Sequence, residues 1–310
     1  MASVRWFAAA PRSTMMDSAY PGLKIAAVTT AAIVVAALAG VPLGGSAMLI
    51  VACAAILMFG LPHGALDIEV IRGAGQGGMA AVLGVYLGIA AATALLWWAV
   101  PIVALAAFLV IAAAHFAEDW DDARSRFLSV GTAVALIAAP TLLHRSAVAA
   151  IFVALTDQSA AARLADVLML TLPVALPIAV VGIAAMIAAG RRGAAVAAAT
   201  SLTALIALPP AVGFAVFFCL FHSPRHFVVA LHAARRWQVA RWLPVVVPVT
   251  ALALALVAAI YLARGGLAFP LRLTSATFMA LAILTVPHML APTVVRRLAT
   301  LTRTGFPAHP

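Results

Sequence analysis

Long apolar stretches separated by short polar breaks make up most of this chain of 310 residues. A membrane-spanning helix needs about 20 mostly apolar residues, and ten stretches approach that length. They are residues 25–41, 47–63, 80–99, 101–117, 127–143, 165–189, 194–208, 211–231, 243–263 and 273–290. The seventh is short, so the pattern predicts an all-α, polytopic transmembrane helix bundle of nine or ten spans.

Proline residues mark two of the breaks. Only Val100 and Pro101 separate the third stretch from the fourth, and only Pro209 and Pro210 separate the seventh from the eighth. Proline is well tolerated in the first turn of a helix, so we expect tight turns there rather than kinks. The apolar residues 147–156 are too few to span a membrane and are expected to lie flat or re-enter.

The composition supports a membrane protein. Hydrophobic residues make up 66% and charged residues 9% of the chain, against roughly 45–50% and about 25% in soluble domains. We therefore expect a multi-pass protein of the cell (inner or plasma) membrane, embedded in the lipid bilayer. Residues 1–23 are interpreted as a disordered or interfacial leader, 24–292 as a single transmembrane domain and 293–310 as a C-terminal tail.

The net charge of +10 has an explanation in membrane topology. If both termini are cytoplasmic and ten helices lie between them, all Lys and Arg residues but Arg145, Arg163, Arg264 and Arg272 fall on the cytoplasmic side, as the positive-inside rule requires. The basic residues are scattered between apolar runs rather than clustered, so nucleic-acid binding is not expected.

Histidines near the ends of the apolar stretches are the candidate chemistry. His63 lies in the run PHGALD, His115 in HFAEDW, and His222 and His226 in HSPRH, while His288 lies in VPHM. In the predicted topology all five lie in the cytoplasmic half of the membrane. The other three histidines, His144, His232 and His309, do not join this group.

A bound metal would explain why imidazoles are placed in hydrocarbon. His222 and His226 are four residues apart, on one face of a helix. His63 and His115 are each followed four residues later by a carboxylate, Asp67 and Asp119, of the kind that accepts the second N–H of a metal-bound histidine. Such carboxylates are candidates for a supporting role around the metal.

One histidine at a helix end is most often an interfacial residue hydrogen-bonded to a carbonyl. Four or five converging at one depth favour a functional site. Imidazole suits iron, copper and zinc; a nitrogen set without thiolate fits redox-active iron, Fe(2+), while zinc hydrolysis with Glu118 as general base stays open. Cys53 and Cys219 form no CxxC pair and are interpreted as buried apolar residues.

Aromatic and methionine residues near the histidines are candidates to line a substrate pocket. They are Met58, Phe59, Phe116, Trp120, Phe217, Phe218, Phe221, Phe227 and Met289.

The runs PHGALD, HFAEDW and HSPRH, with PHM near the end, resemble the Brp/Blh family of bacterial and archaeal β-carotene 15,15′-dioxygenases. The resemblance extends from about residue 55 to residue 292. It implies a non-haem Fe(2+) held by His63, His115, His222 and His226. It also implies cleavage of the central double bond of β-carotene by O₂ to two molecules of all-trans-retinal, which would serve a retinylidene protein such as a rhodopsin.

Three alternatives remain at this point. A membrane oxygenase could act on another carotenoid or polyene. A di-iron hydroxylase or desaturase also binds its metals through histidines, although such sites usually include an HxxHH run, which this chain lacks. A non-enzymatic transporter or haem carrier would place histidines as axial ligands. The role of His288, as a ligand or as a pocket residue, is also left open.

Overall fold

The computed structural model describes residues 22–60, 79–123, 125–233 and 239–304, and in these ranges it contains helices and turns but no strand. The α-helices, in chain order, are α1 (Leu23–Leu38), α2 (Ser46–Ala55), α3 (Met79–Ala99), α4 (Pro101–Phe116), α5 (Arg126–Ala138), α6 (Thr141–Thr156), α7 (Ala162–Ala188), α8 (Arg192–Ala207), α9 (Pro210–Phe217), α10 (Ser223–Ala233), α11 (Val239–Ala263) and α12 (Phe269–Thr304). The predicted all-α class is confirmed.

Six helical segments of the described chain are long and apolar enough to cross a membrane: Ala80–Ala99, Pro101–Asp121, Ser159–Ala188, Pro210–Leu231, Val246–Ala263 and Phe269–Leu290. A seventh span results if α5 and α6, which meet at 67°, count together. The remaining predicted stretches coincide with helices of 10–17 residues, Leu23–Leu38, Ser46–Gly60 and Arg192–Ala207. The chain is thus a multi-pass membrane protein, and the side on which its termini lie stays a prediction.

Prolines begin two of the helices, as predicted. Pro101 is the first residue of α4, after Val100 leaves helical geometry with φ −143° and ψ 69°. Pro210 likewise begins α9. The short apolar stretch 147–156 forms the second half of α6, the helix that bends away from α5.

Small residues allow the helices to approach closely. A Cβ atom on Gly131 of α5 would lie 2.1 Å from Cγ2 of Ile178 in α7, and one on Gly182 of α7 would lie 2.8 Å from Oγ1 of Thr132. Helix association inside a membrane depends on such backbone proximity, because lipid is as apolar as the side chains it competes with. The glycines therefore allow α5 and α7 to pack closely against each other.

We predict that Gly131→Ala destabilises the protein by about 1–3 kcal/mol, because the added methyl group overpacks the contact with Ile178. Gly84→Ala on α3 is the matched control, since a Cβ there meets nothing within 4 Å; it should be neutral or stabilise by about 0.5–1 kcal/mol. Unfolding by SDS in mixed micelles measures both variants. Equal stabilities would contradict the packing described for α5 and α7.

Candidate metal centre

A π-helical turn separates α9 from α10. Pro224 has no N–H, and its ring would clash with the carbonyl of Leu220 in an uninterrupted α-helix. The chain instead forms a π turn over Phe218–His222 before α10 begins at Ser223. Single π turns are common at functional sites, and this one ends at a candidate ligand.

Three imidazoles from two distant parts of the chain meet at this turn. The ring centroids of His222 and His226 are 4.4 Å apart, and the ring of His115, at the end of α4, lies 4.9 Å from His222 and 5.1 Å from His226. One ring nitrogen from each histidine lies within 4.8 Å of the others. Three nitrogens this close can share one metal ion.

A buried carboxylate holds two of these rings. The α4 helix tightens into a 3₁₀ turn over Ala117–Ala123, which places Asp119 beside α10. Its Oδ2 lies 2.7 Å from Nδ1 of His222 and its Oδ1 lies 2.9 Å from Nε2 of His226. The aspartate is only 2% exposed, so these contacts replace the water that a carboxylate otherwise requires.

A carboxylate can only accept hydrogen bonds, so we assign the N–H groups to Nδ1 of His222 and Nε2 of His226. The opposite nitrogens, Nε2 of His222 and Nδ1 of His226, then carry the lone pairs. This arrangement fixes both tautomers for metal binding, as carboxylates around metal-bound histidines commonly do.

Two further contacts secure the aspartate. Arg225 on α10 places Nη1 3.3 Å from Oδ1 of Asp119 and donates to the backbone carbonyl of Glu118 at 3.3 Å. The hydroxyl of Ser129 donates to the carbonyl of Trp120 at 2.8 Å and so ties the 3₁₀ turn to α5. A buried ion pair of this kind needs its remaining polar groups satisfied, and these bonds contribute to that.

His288 lies at the edge of the cluster. Its ring centroid is 4.9 Å from that of His115 and 6.4 Å from that of His226. It is partly buried on α12 and does not belong to the group of three close nitrogens. Glu118, also partly buried, takes part in the described network through its backbone carbonyl.

His63 and Asp67 lie outside the described residues, so their predicted roles stay predictions. The segment leading toward them is described as far as Gly60. Its π turn, Ile56–Gly60, packs against the second π turn so closely that a Cβ on Gly60 would lie 2.2 Å from the ring of Phe218. Ser223 donates a hydrogen bond to the carbonyl of Phe59.

An apolar cavity of about 730 Å³ extends from the histidines into the bundle. His115, His222 and His288 line one end of it, and Leu105, Phe152 and Leu155 belong to the wall near the opposite end. The volume lies within the range of about 300–1,000 Å³ that small-molecule sites occupy. The lining suits a hydrocarbon ligand.

Only some of the predicted pocket residues line the cavity. Phe116, Phe217 and Phe218 line the cavity. Met58 and Phe59 are 71% and 61% exposed on the outer surface instead, because the π turn that carries them directs these side chains outward. Trp120, Phe221, Phe227 and Met289 are not among the residues that line the cavity either. The predicted lining is therefore correct for Phe116, Phe217 and Phe218 and wrong for the other six residues.

The sequence pattern missed the partner of Asp119 and missed Arg225. We expected Asp119 to serve His115, four residues earlier, whereas it binds the two histidines that lie more than 100 residues later. One signal was available: an aspartate immediately after an apolar helix must find a partner if it is buried. The sequence does not show which partner that is.

Comparisons with known proteins show which family this chain resembles. A family model described as beta-carotene 15,15′-dioxygenase matches residues 54–296. A curated relative of the same description, from an uncultured marine bacterium 66A03, is 28% identical over 265 residues, which cover 77% of this chain and 90% of the relative. No solved structure matches the chain.

We predict that Asp119→Asn weakens metal binding by about 10–100-fold, because an amide presents a donor to one of the two N–H groups that the carboxylate now accepts. Cobalt(II) titrated into the purified metal-free protein, followed by its visible absorption, gives the dissociation constant. Asp121→Asn, an exposed neighbour in the same turn, is the control and should bind cobalt(II) like the parent. Equal affinity of the two variants would contradict the role of Asp119.

Proposed function

The chain belongs to the β-carotene 15,15′-dioxygenase family, and from that membership we propose that it cleaves the central double bond of β-carotene with O₂ to give two molecules of all-trans-retinal. One observation carries the proposal: three imidazoles, close enough to share a metal, lie at one end of an apolar cavity inside a transmembrane bundle. The proposed metal site thus adjoins an apolar cavity.

The proposed metal is ferrous iron, held by His63, His115, His222 and His226. The donor set supports it, because imidazole nitrogens without thiolate suit a redox-active ion. Iron bound there would supply the redox chemistry that allows O₂ to react with a polyene. His288 is proposed as a pocket residue, since it lies outside the close group.

The residues around the cluster position and protect it. Asp119 fixes the rings of His222 and His226, so that two ligands are oriented before the metal binds. Phe218 stacks on His222 with ring centroids 5.2 Å apart and an interplanar angle of 17°, and Phe116 meets His222 edge-on at 5.0 Å. These rings exclude water from the side of the centre that faces the cavity.

The length of the cavity supports central cleavage. Phe278 and His288 both line it on α12, and ten residues of helix span about 15 Å. A carotenoid is about as long as the hydrocarbon core of a bilayer is thick, ~30 Å. A cavity half that long, with the histidines at one end, would hold one half of the molecule and present its middle bond to the metal.

The overall reaction balances without a reductant. The central carbon–carbon double bond breaks, and each of the two new aldehydes receives one oxygen atom of the same O₂ molecule. The alternative that remains is another carotenoid whose unmodified half fits the same cavity. We also propose the plasma membrane as the location and a retinylidene protein as the acceptor of retinal.

Expression in a bacterium that accumulates β-carotene tests the activity. We predict loss of the orange colour and formation of retinal, and purified protein should contain iron in equimolar amount. His222→Ala should abolish both properties. His144→Ala is the matched control, because within the described chain Nε2 of His144 has no hydrogen-bond partner. Persisting colour with iron bound would favour a different polyene substrate.

A second prediction concerns the site of cleavage. Phe152→Ala removes a ring from the wall near the end of the cavity opposite the histidines, so β-carotene should slide deeper and yield aldehydes of unequal length beside retinal. Phe127→Ala, which alters a 67% exposed ring on α5, should give retinal only. Chromatography of the products shows whether each variant forms retinal alone or aldehydes of unequal length. Unchanged products from Phe152→Ala would show that this wall does not set the cleavage position.

A further inference from the structure

Among the described residues, the exposed ones that line the cavity lie on one side of it. Five lining residues are exposed, and all of them belong to α3 or α11: Leu87, Ala91, Leu252, Ala255 and Ala259. The other described lining residues, contributed mainly by α4, α6, α9 and α12, are buried or partly buried. The cavity therefore opens between α3 and α11.

Small side chains keep this opening free. Near the histidine end, Val249 of α11 packs against the group around Val82 of α3. Farther along, both helices are rich in alanine. The alanines that line the cavity in this region are Ala90, Ala91, Ala94, Ala253, Ala255 and Ala259.

Both ends of α11 are attached to the rest of the bundle. Val246, near its start, packs with Ala230 and Leu231 of α10. Just beyond its other end, the guanidinium of Arg264 contacts Asp157, which follows α6, and the carbonyl of Ala154, which lies within α6. These contacts hold both ends of α11 in place, so the opening does not result from a loose end of that helix.

The opening faces the hydrocarbon of the bilayer. The spans Ala80–Ala99 and Val246–Ala263 are the least buried of the six, and neither contains a charged residue. Exposed apolar side chains on a membrane span contact lipid tails. A polar ligand would gain nothing on this route, whereas a hydrocarbon would stay in an apolar medium from start to finish.

We propose that Leu87, Ala91, Leu252, Ala255 and Ala259 frame a lateral window through which the polyene substrate passes from the bilayer interior to the histidine cluster. The proposal rests on the proposed function for the identity of the substrate. A carotenoid dissolved in lipid would pay a large free-energy cost to cross water, about 25 cal/mol for each Å² of apolar surface exposed. The lateral window avoids that step.

Tryptophan substitutions at the window test this route. Ala91→Trp and Ala255→Trp place a large ring in the opening. Ala92→Trp and Ala258→Trp are matched controls, because these neighbours are also exposed on the same helices but do not line the cavity. All four proteins are reconstituted into phosphatidylcholine vesicles containing β-carotene, and the initial rate of retinal formation and the iron content are measured.

The window variants should show kcat/KM lowered by about tenfold or more, a barrier about 1.4 kcal/mol higher, with iron content unchanged. The control variants should match the parent. A parent protein that forms no retinal would overturn the proposed function itself. Equal kcat/KM in window and control variants, with an active parent, would overturn the window alone.

A single-turnover experiment separates passage from binding. Each variant is equilibrated with β-carotene in the absence of oxygen for long enough to fill the cavity, and then mixed with O₂. If the residues only frame the route, Ala91→Trp and Ala255→Trp should form retinal in this first turnover with the amplitude and rate of the parent. A lost amplitude would mean that the tryptophans occupy the binding cavity, and the window would be rejected.

Discussion

The carboxylate of Asp119 is the constraint on which the rest of the site depends. It lies inside the bundle, and its hydrogen bonds to His222 and His226 join the end of α4 to the start of α10. Removing water from a carboxylate costs several kcal/mol unless bound groups replace it, so the aspartate and the two imidazoles must occur together. The pairing orients two candidate ligands before any metal is present.

The apolar pattern predicted the helices well, because the length of an apolar stretch and the spacing of its residues are local properties of the chain. Pro101 and Pro210 also marked the helix starts correctly, since a proline affects its own turn. Span counts were less predictable: α1 and α8 are apolar, yet each has only 16 residues. Hydropathy alone does not distinguish such a short apolar helix from a full span.

The sequence predicted three histidines of the site but not which residues there contact one another. The motifs indicated His115, His222 and His226, and the structure brings these three together. The partner of Asp119 depends on contacts between residues 103 positions apart, which no local pattern encodes. The two π turns and the contact of Gly60 with Phe218 are likewise products of tertiary packing, although Pro224 explains why one turn forms.

The separation in sequence between α4 and α10 also has a consequence for biogenesis. When α4 leaves the translocon, the side chains that will neutralise and bind Asp119 have not yet been synthesised. The aspartate sits at the end of its span, in a 3₁₀ turn, where headgroups and water can solvate it until α10 arrives. A metal held by these histidines would therefore bind late in assembly, after the second half of the protein has entered the membrane.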